Sequence, residues 1–279
     1  MTTLLLSLQL ESSTIFGALA SLLIGLSLGL IGGGGSILTV PVLVYLFGVN
    51  PLQATAYSLF IVGATSAIGA FPKYKEGQVN LKTALIFGAP SIITVYATRK
   101  WILPAIPTEL GQWGEFILTK SLLLMLLFAL LMVAASFSMI RTQKSLGADA
   151  TKPQSFNYPL ILVEGAVVGL LTGLVGAGGG FLIIPALVIL TGLPMKQAVG
   201  TSLLIIAAKS LIGFTGDLTE QTIDWTLLGF VTSIAVIGII AGNQLSKKID
   251  GNKLKKGFGW FVLVMGIYIL VKEGWGAGH

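Results

Sequence analysis

The sequence predicts an all-α polytopic membrane protein made of two inverted repeats, each with about five helical segments that include a glycine-broken half-helix. Three observations predict this fold class. The 279 residues are 54% hydrophobic and only 10% charged, whereas a soluble domain carries about 25% charged residues. The apolar residues collect in ten runs, and the chain matches itself at an offset of 144 residues. An internal repeat among membrane spans is typical of transporter folds.

The ten apolar runs define the predicted spans. A helix crosses the hydrocarbon core with about 20 residues, in a range of about 17–25. Two runs are shorter than that, and each directly follows a cluster of glycines, so we expect half-helices at 36–49 and 180–193. The ten runs are 13–31, 36–49, 53–71, 83–98, 116–140, 159–178, 180–193, 197–215, 225–246 and 257–271.

A polar stretch at 141–158, which contains Pro153 and is directly followed by Pro159, is the best candidate for a linker between the halves. It separates an N-terminal transmembrane repeat at 1–140 from a C-terminal transmembrane repeat at 159–279. The two repeats match without a gap at residue types that shared apolar composition does not explain. The matches include Gly32 with Gly176, Pro41 with Pro185, Gln53 with Gln197, Ser58 with Ser202 and Ser66 with Ser210.

The charges of two equivalent loops predict how the repeats are oriented. The loop at 73–82 has three lysines and one glutamate, whereas its partner at 217–225 has three acidic residues and no basic one. Since Lys and Arg concentrate in cytoplasmic loops, we expect the two loops to face opposite sides of the membrane. This inverted repeat requires an odd number of crossings in each half, and five fits. This arrangement places Arg99 and Lys100 on the outer side of the membrane, although basic residues usually lie on the cytoplasmic side. Four crossings per half, with re-entrant glycine hairpins and parallel repeats, is the alternative.

Composition excludes several kinds of chemistry. The chain has no cysteine, and its one histidine, His279, is the last residue. Thiol catalysis, thiolate metal sites and a buried catalytic imidazole are therefore excluded. We expect no enzyme, no catalytic residue, no cofactor, no metal and no nucleic-acid partner. The lipid bilayer is the expected surrounding, and a homodimer is an assembly that the sequence leaves open.

Each repeat carries a glycine cluster, in "GLIGGGGSILTVP" at 29–41 and "GLVGAGGGFLIIP" at 173–185. Neither is a P-loop, which needs a Lys-Ser or Lys-Thr, and the flanking spans do not suit a Rossmann turn. Close helix packing explains many membrane glycines. Consecutive glycines, however, interrupt a helix, and the half-helix that follows points its positive N-terminus into the membrane interior. We therefore favour two facing anion cradles over packing, with left-handed backbone at Gly34 and Gly178.

The duplicated segments "GLIGGGGSILTVPVLVYLFGVNPLQATAYSLF" and "GLLTGLVGAGGGFLIIPALVILTGLPMKQAVGTSLL" resemble the signature of the TauE/SafE family of sulfite exporter-like permeases. The resemblance covers nearly the whole chain. It implies a permease or exporter of small sulfur-containing anions, such as sulfite, sulfonates or sulfoacetate, in the cell inner membrane. It names a class of substrate and leaves open the particular anion, the direction of transport and any coupling to protons or sodium.

The candidate anion-binding residues lie in the glycine clusters and on the spans that follow them. Duplicated glutamines and serines would supply neutral donors to an oxyanion, although the glutamines would equally serve as helix caps. The candidates are Gly33, Gly34, Gly35, Ser36, Gln53 and Ser58 in the first repeat and Gly178, Gly179, Gly180, Gln197, Thr201, Ser202 and Lys209 in the second.

Two charged residues lie within predicted spans. Lys209 stands where the first repeat has Thr65, and a lysine at a span centre costs about 2.5–3.5 kcal/mol on insertion scales. We expect Lys209 to be a countercharge to the substrate rather than a lysine that reaches the membrane surface. Glu164 is a candidate for proton coupling, although an interfacial carboxylate is the favoured interpretation.

The predicted function is membrane transport of a small sulfur-containing anion by alternating access. A transporter of a different small organic anion is one alternative, and a non-transporting membrane assembly or scaffold protein is another. The two helix breaks disfavour a scaffold, which would not need them. A membrane enzyme is disfavoured because the chain lacks cysteine, internal histidine and paired acidic residues.

Overall fold

Helices account for nearly all of the computed structural model, which describes residues 2–113, 116–141, 158–219, 221–247 and 251–276. The first repeat contains α1 (Thr2–Ile31), a 3₁₀ helix (Gly33–Leu38), α2 (Thr39–Tyr45), α3 (Pro51–Lys75), α4 (Leu81–Ala97), a π-helical turn (Thr98–Ile102), α5 (Leu103–Ala105), β1 (Glu109–Trp113), β2 (Phe116–Thr119) and α6 (Lys120–Ile140). The second contains α7 (Tyr158–Val175), α8 (Gly180–Thr191), α9 (Met195–Thr215), α10 (Trp225–Leu245) and α11 (Gly251–Gly276).

Each of the ten predicted apolar runs corresponds to a helical segment. Within the described ranges, six helices are long and apolar enough to cross a membrane, and four shorter apolar helices accompany them. The segments at Gly33–Tyr45 and Gly180–Thr191 are among the shorter ones, as expected of half-helices. The all-α polytopic fold class is therefore confirmed. The predicted linker at 141–158 lies outside the described residues except for its two end positions.

The segment between α4 and α6 differs from the prediction. The sequence indicated a connection at 99–115 and a span from residue 116. Instead β1 and β2 form an antiparallel hairpin, in which Glu109 pairs with Thr119. Thr119 then caps α6 by accepting a hydrogen bond from the Leu122 backbone N–H at 3.2 Å. The apolar stretch after residue 115 begins as a strand because its backbone groups pair across the hairpin before the helix starts.

Equivalent polar caps begin the helices that follow the two charged loops. Asn80 caps α4 and Asp224 caps α10, each through its side-chain oxygen. The backbone N–H groups of the same two residues reach across to the other repeat. Asn80 donates to Thr201 Oγ1 at 2.9 Å, and Asp224 donates to Tyr57 Oη at 2.6 Å. Tyr57 and Thr201 are also equivalent by the repeat offset, so the same hydrogen bond between the repeats occurs at both loops.

Glycines set the close helix pairs between the repeats. α1 packs along α10, and α7 packs along α4. Since α7 is the repeat equivalent of α1 and α10 that of α4, the two helix pairs are equivalent to each other. In both pairs a Cβ on the glycine would overlap atoms of the facing helix, which is how small residues let membrane helices approach. The contacts are Gly25 with Ala235, Gly29 with Ile239, Gly169 with Ser91 and Gly173 with Thr98.

Equivalent helices of the two repeats run antiparallel to each other. Gly63 of α3 packs on Leu211 of α9, whereas Gly213 of α9 packs on Leu59 of α3. α6 and α11 show the same reversal along their contact. This reversal is the helix arrangement that an inverted repeat requires, and the placement of the two ends on opposite sides of a membrane stays a prediction.

The buried apolar residues form two clusters. The larger joins α1, α2, α3, α6, α10 and α11, and the smaller is centred on α4, α7, α8 and α9. α3 and α9 lie between these clusters and carry most of the residues considered below. The helices that hold the site are therefore the most enclosed ones in the bundle.

Single cysteines test the orientation of the repeats, since the chain has none of its own. Gln78 and Thr222 are equivalent positions in the two charged loops. We expect Gln78→Cys to react with a membrane-impermeant maleimide only from the cytoplasmic side, and Thr222→Cys only from the opposite side. The measurement is labelling of intact cells against inverted vesicles. Labelling of both from one side would contradict the inverted repeat.

Candidate functional site

The two glycine breaks lie in direct contact in the protein interior. The Cα atoms of Gly33 and Gly180 face each other, and a Cβ on either residue would overlap the backbone of the other. A second contact joins Gly178 to the Cβ of Ser36. Gly35 packs in the same way against Ser27 and the Leu28 backbone. Close packing, the alternative that the sequence left open, thus accounts for Gly33, Gly35 and Gly180.

The backbone takes left-handed conformations at equivalent points of the two breaks. Gly32 has φ 77° and its partner Gly176 has φ 74°. The second break adds Gly178 at 63° and Gly179 at 72° before α8 begins. The prediction of left-handed backbone is therefore supported for Gly178 but wrong for Gly34. The first break differs because it turns at a single glycine and continues at once as a 3₁₀ helix.

Lys209 is completely buried and lies at the second break. Its Nζ donates a hydrogen bond to Thr172 Oγ1 at 2.8 Å. A Cβ on Gly179 would lie 2.9 Å from that Nζ. The lysine therefore does not extend to the membrane surface. Its amine lies beside the left-handed Gly179, at the N-terminus of α8, and its role as a countercharge stays a prediction.

A second cation lies on the other side of the same break. Arg99 is fully buried, and its Nη1 donates to Thr55 Oγ1 at 3.0 Å and to Asp217 Oδ1 at 3.4 Å. Its Nε and Nη2 have no hydrogen-bond partner among the described residues. Thr55 in turn packs against Gly176. The break is thus bordered by Lys209 at one end and by the Arg99–Asp217 ion pair at the other.

Sequence reasoning missed Arg99 because it placed the residue in an outer loop. The available signal was the apolar sequence on both sides, since "SIITVYAT" precedes Arg99 and "WILPAI" follows Lys100. An ionisable residue inside a long apolar stretch is a candidate for function by default. The π-helical turn at Thr98–Ile102 carries Arg99 into the interior.

The other candidate residues are divided between the bundle ends and its interior. Gln53 is half-buried and donates to Thr222 Oγ1 at 3.4 Å, and Thr201 accepts from Asn80, so both contact the end loops. Ser202 donates to the Val199 carbonyl of its own helix. The Ser58 hydroxyl is buried and has no partner within the described ranges.

The two remaining candidates are half-buried. Gln197 lies near the start of α9. Glu164 lines a cavity of about 270 Å³ between α6, α7 and α8, together with Ser138 and Pro185. None of the described residues that line this cavity pairs with the Glu164 carboxylate, and its role in coupling stays a prediction.

Comparison with known proteins identifies the family of the chain. The family model for the sulfite exporter TauE/SafE matches residues 17–269. The chain belongs to the TauE/SafE family. A "Probable membrane transporter protein" of Xylella fastidiosa (strain 9a5c) is 31% identical over 259 residues, covering 89% of this chain and 91% of the relative. A protein of the same printed name from Haemophilus influenzae is 27% identical over 280 residues, covering 92% and 97%.

A third relative, the "Probable membrane transporter protein YdhB" of Bacillus subtilis, is 28% identical over 255 residues, covering 90% of this chain and 98% of its own length. No solved structure matches the chain. This TauE/SafE protein is thus a multi-pass membrane transporter, as the fold class and the family together indicate. The buried cations at its second glycine break are the features from which its substrate is to be inferred.

Glycine-to-alanine substitutions test whether each glycine is needed for close helix packing or for its left-handed backbone conformation. We expect Gly25→Ala and Gly169→Ala to lower the Tm in detergent, because each methyl overlaps backbone of the facing helix. Gly178→Ala should also lower it, since a left-handed residue with a Cβ costs about 1–2 kcal/mol. Gly34→Ala should leave the Tm near the wild-type value, because its methyl meets only side-chain atoms of Ile31 and Met139 at 3.2 and 3.4 Å.

Transport by Gly34→Ala, measured in liposomes, then tests the anion cradle at the first break. Loss of flux at an unchanged Tm is expected if the anion approaches the backbone there. Wild-type flux in this variant would show that the first break serves packing alone.

Proposed function

We propose that this protein transports small sulfur-containing anions, such as sulfite or sulfonates including sulfoacetate, across the cell inner membrane by alternating access. The observation that carries the proposal is the fully buried amine of Lys209, held at a left-handed glycine break between two membrane helices. The printed description of the family, sulfite exporter, supports the same class of substrate.

The electrostatics of the second break favour an anion. A buried lysine is costly in a membrane interior unless a negative group compensates it, and its hydrogen-bond partner is the neutral hydroxyl of Thr172. α8 begins at Gly180, beside this amine, and contributes the positive end of its dipole. An anion at this place would be stabilised by both.

A buried hydroxyl group on α3 suits an oxyanion that must be released again. The Thr172 hydroxyl accepts from the lysine amine and donates to the Val168 carbonyl at 2.7 Å, so it positions the amine, whereas the buried Ser58 hydroxyl lacks a partner among the described groups. A hydroxyl without a partner donates to a sulfite or sulfonate oxygen without adding a further charge. One cation with a neutral donor binds an anion more weakly than a cluster of arginines would. Such weaker binding suits a transporter, because the anion must be released on the other side.

The contact between the two breaks supports movement of one repeat against the other. Gly33 and Gly180 touch each other through backbone atoms, so neither residue has a side chain that opposes a small rotation at this contact. The loop contacts of Asn80 with Thr201 and of Asp224 with Tyr57 close equivalent ends of the bundle. We infer that alternating access opens one of these ends at a time around the breaks.

The alternatives fit the interior less well. A non-transporting scaffold would gain stability from an apolar residue at position 209, so the buried lysine argues against it. Another small organic anion would satisfy the same amine and is separated from sulfur anions only by measurement.

The test is a flux panel in proteoliposomes with sulfite, sulfate, thiosulfate, sulfoacetate and taurine. We expect saturable flux of at least one sulfur-containing anion, and competition by that anion against the others that are carried. Acetate and lactate serve as sulfur-free controls. Transport of the carboxylates without any of the sulfur compounds would contradict the proposed substrate class.

Substitution of the lysine tests its role directly. We expect Lys209→Met to abolish anion flux while the Tm stays equal or rises, because the change removes an insertion cost of about 2.5–3.5 kcal/mol. The matched control is Lys196→Met on the same helix, since Lys196 is exposed and should keep its flux. Wild-type affinity in the Lys209→Met variant would refute the countercharge.

A further inference from the structure

The interior of the bundle holds an unbalanced set of charges. Among the residues whose side chains the structure describes, the buried charged ones are Arg99, Lys209 and Asp217. Arg99 and Asp217 pair with each other at 3.4 Å. Lys209 has only the Thr172 hydroxyl, so one positive charge lacks a buried counterion.

Both cations belong to the second break, and the first break has neutral residues at the equivalent places. Lys209 corresponds to Thr65, whose hydroxyl donates to the Ile61 carbonyl of its own helix. Arg99 corresponds to Asn243, whose Nδ2 donates to the Gly69 carbonyl at 3.3 Å. The repeat therefore duplicates the backbone of the breaks without duplicating their cations, and the equivalent of Asp217 is the half-buried Lys73.

A short chain of contacts connects the lysine to the ion pair. The Gly176 N–H donates to the Thr172 carbonyl at 2.8 Å, and Gly176 also packs on Thr55. Lys209 is bonded to the first threonine and Arg99 to the second. The lysine and the ion pair are thus linked through Thr172, Gly176 and Thr55, and of the two cations only Lys209 lacks a buried carboxylate partner among the described residues.

We propose that this charge arrangement makes the transporter selective for singly charged sulfur oxyanions, such as sulfonates with no second acid group and hydrogensulfite, over doubly charged ones. The inference rests on the proposed function and narrows it. It disfavours sulfoacetate and the sulfite dianion, which are named above, as well as sulfate and thiosulfate, because each of them carries two charges.

The physical reason is the cost of burying a charge without a partner. A monoanion beside Lys209 leaves the interior neutral. The second charge of a dianion would need Arg99, and Asp217 already neutralises that guanidinium. An unpaired buried charge is strongly unfavourable, so the preference should be at least about tenfold in Kd, which corresponds to about 1.4 kcal/mol.

Methanesulfonate and sulfate test this directly, because both present a tetrahedral sulfur and they differ by one charge. Isothermal titration of the purified full chain in detergent, at constant ionic strength, gives the Kd of each. We expect methanesulfonate to bind at least about tenfold more tightly. Sulfate binding equally or more tightly would overturn the charge selectivity and leave the sulfur-anion function intact. Binding of neither anion would overturn the charge selectivity, and the flux panel would then decide the sulfur-anion function separately.

Two variants then assign the selectivity to the charge balance. Asp217→Asn leaves Arg99 unpaired and adds a second uncompensated positive charge, so sulfate should gain at least about tenfold relative to methanesulfonate. The double variant Arg99→Gln/Asp217→Asn removes both charges and leaves Lys209 as the one cation. Its ratio of affinities should equal that of the wild type.

The double variant also decides the matter if Asp217→Asn does not fold. A ratio close to the wild-type value supports the assignment to Lys209. A double variant that binds sulfate as tightly as methanesulfonate would overturn it, because the ion pair would then set the preference. A folded Asp217→Asn protein with an unchanged ratio would overturn it as well.

Discussion

The backbone contact between Gly33 and Gly180 is the constraint on which the rest of the structure depends. Two interrupted helices meet there without any side chain between them. An interruption inside a membrane protein is tolerated only where its backbone groups find partners or a polar cavity. The second break meets this need locally, since Gly179 donates to the Ala177 carbonyl and accepts from Leu182 and Ile183. The helices around the breaks are correspondingly close, with glycines at α1–α10 and α4–α7.

Polar groups without partners gather on the helices that surround this contact. The hydroxyl groups of Ser58 and Ser66 on α3, Ser91 on α4 and Ser210 on α9 are buried and unpaired within the described part of the chain. Each such group costs about 1–3 kcal/mol if nothing satisfies it. A hydrophilic substrate or water passing through the bundle would satisfy them. Groups of this kind are expected along a path for a hydrophilic substrate, and a packed scaffold has no use for them.

Much of the fold follows from the sequence, because hydropathy and an internal repeat are strong signals. The ten runs correspond to helical segments, and the two that are too short to span are shorter helices in the structure. The repeat offset correctly equates Asn80 with Asp224, since both cap a helix and both donate to the other repeat. These features depend on local composition, which a sequence displays directly.

The site was less predictable because it depends on partners distant in the chain. Arg99 pairs with Asp217 more than a hundred residues away, and hydropathy alone assigned it to a loop. The left-handed turn at Gly32 rather than Gly34 depends on a 3₁₀ helix that only the packed structure reveals. Lys209 was predictable for a different reason, since a charge in an apolar run is conspicuous whatever its partners are.

A duplicated scaffold does not require a duplicated charge, and the energetics explain why one copy suffices. Glycines must recur in both repeats because each break needs the other to approach closely. A lysine in place of Thr65 would put a second uncompensated cation within the same bundle, and the protein without substrate would have to bury both. One lysine beside a paired arginine and aspartate leaves a single uncompensated cation to bury. The chain thus keeps its symmetry in the backbone of the two breaks and loses it in the buried side chains at positions 65 and 209.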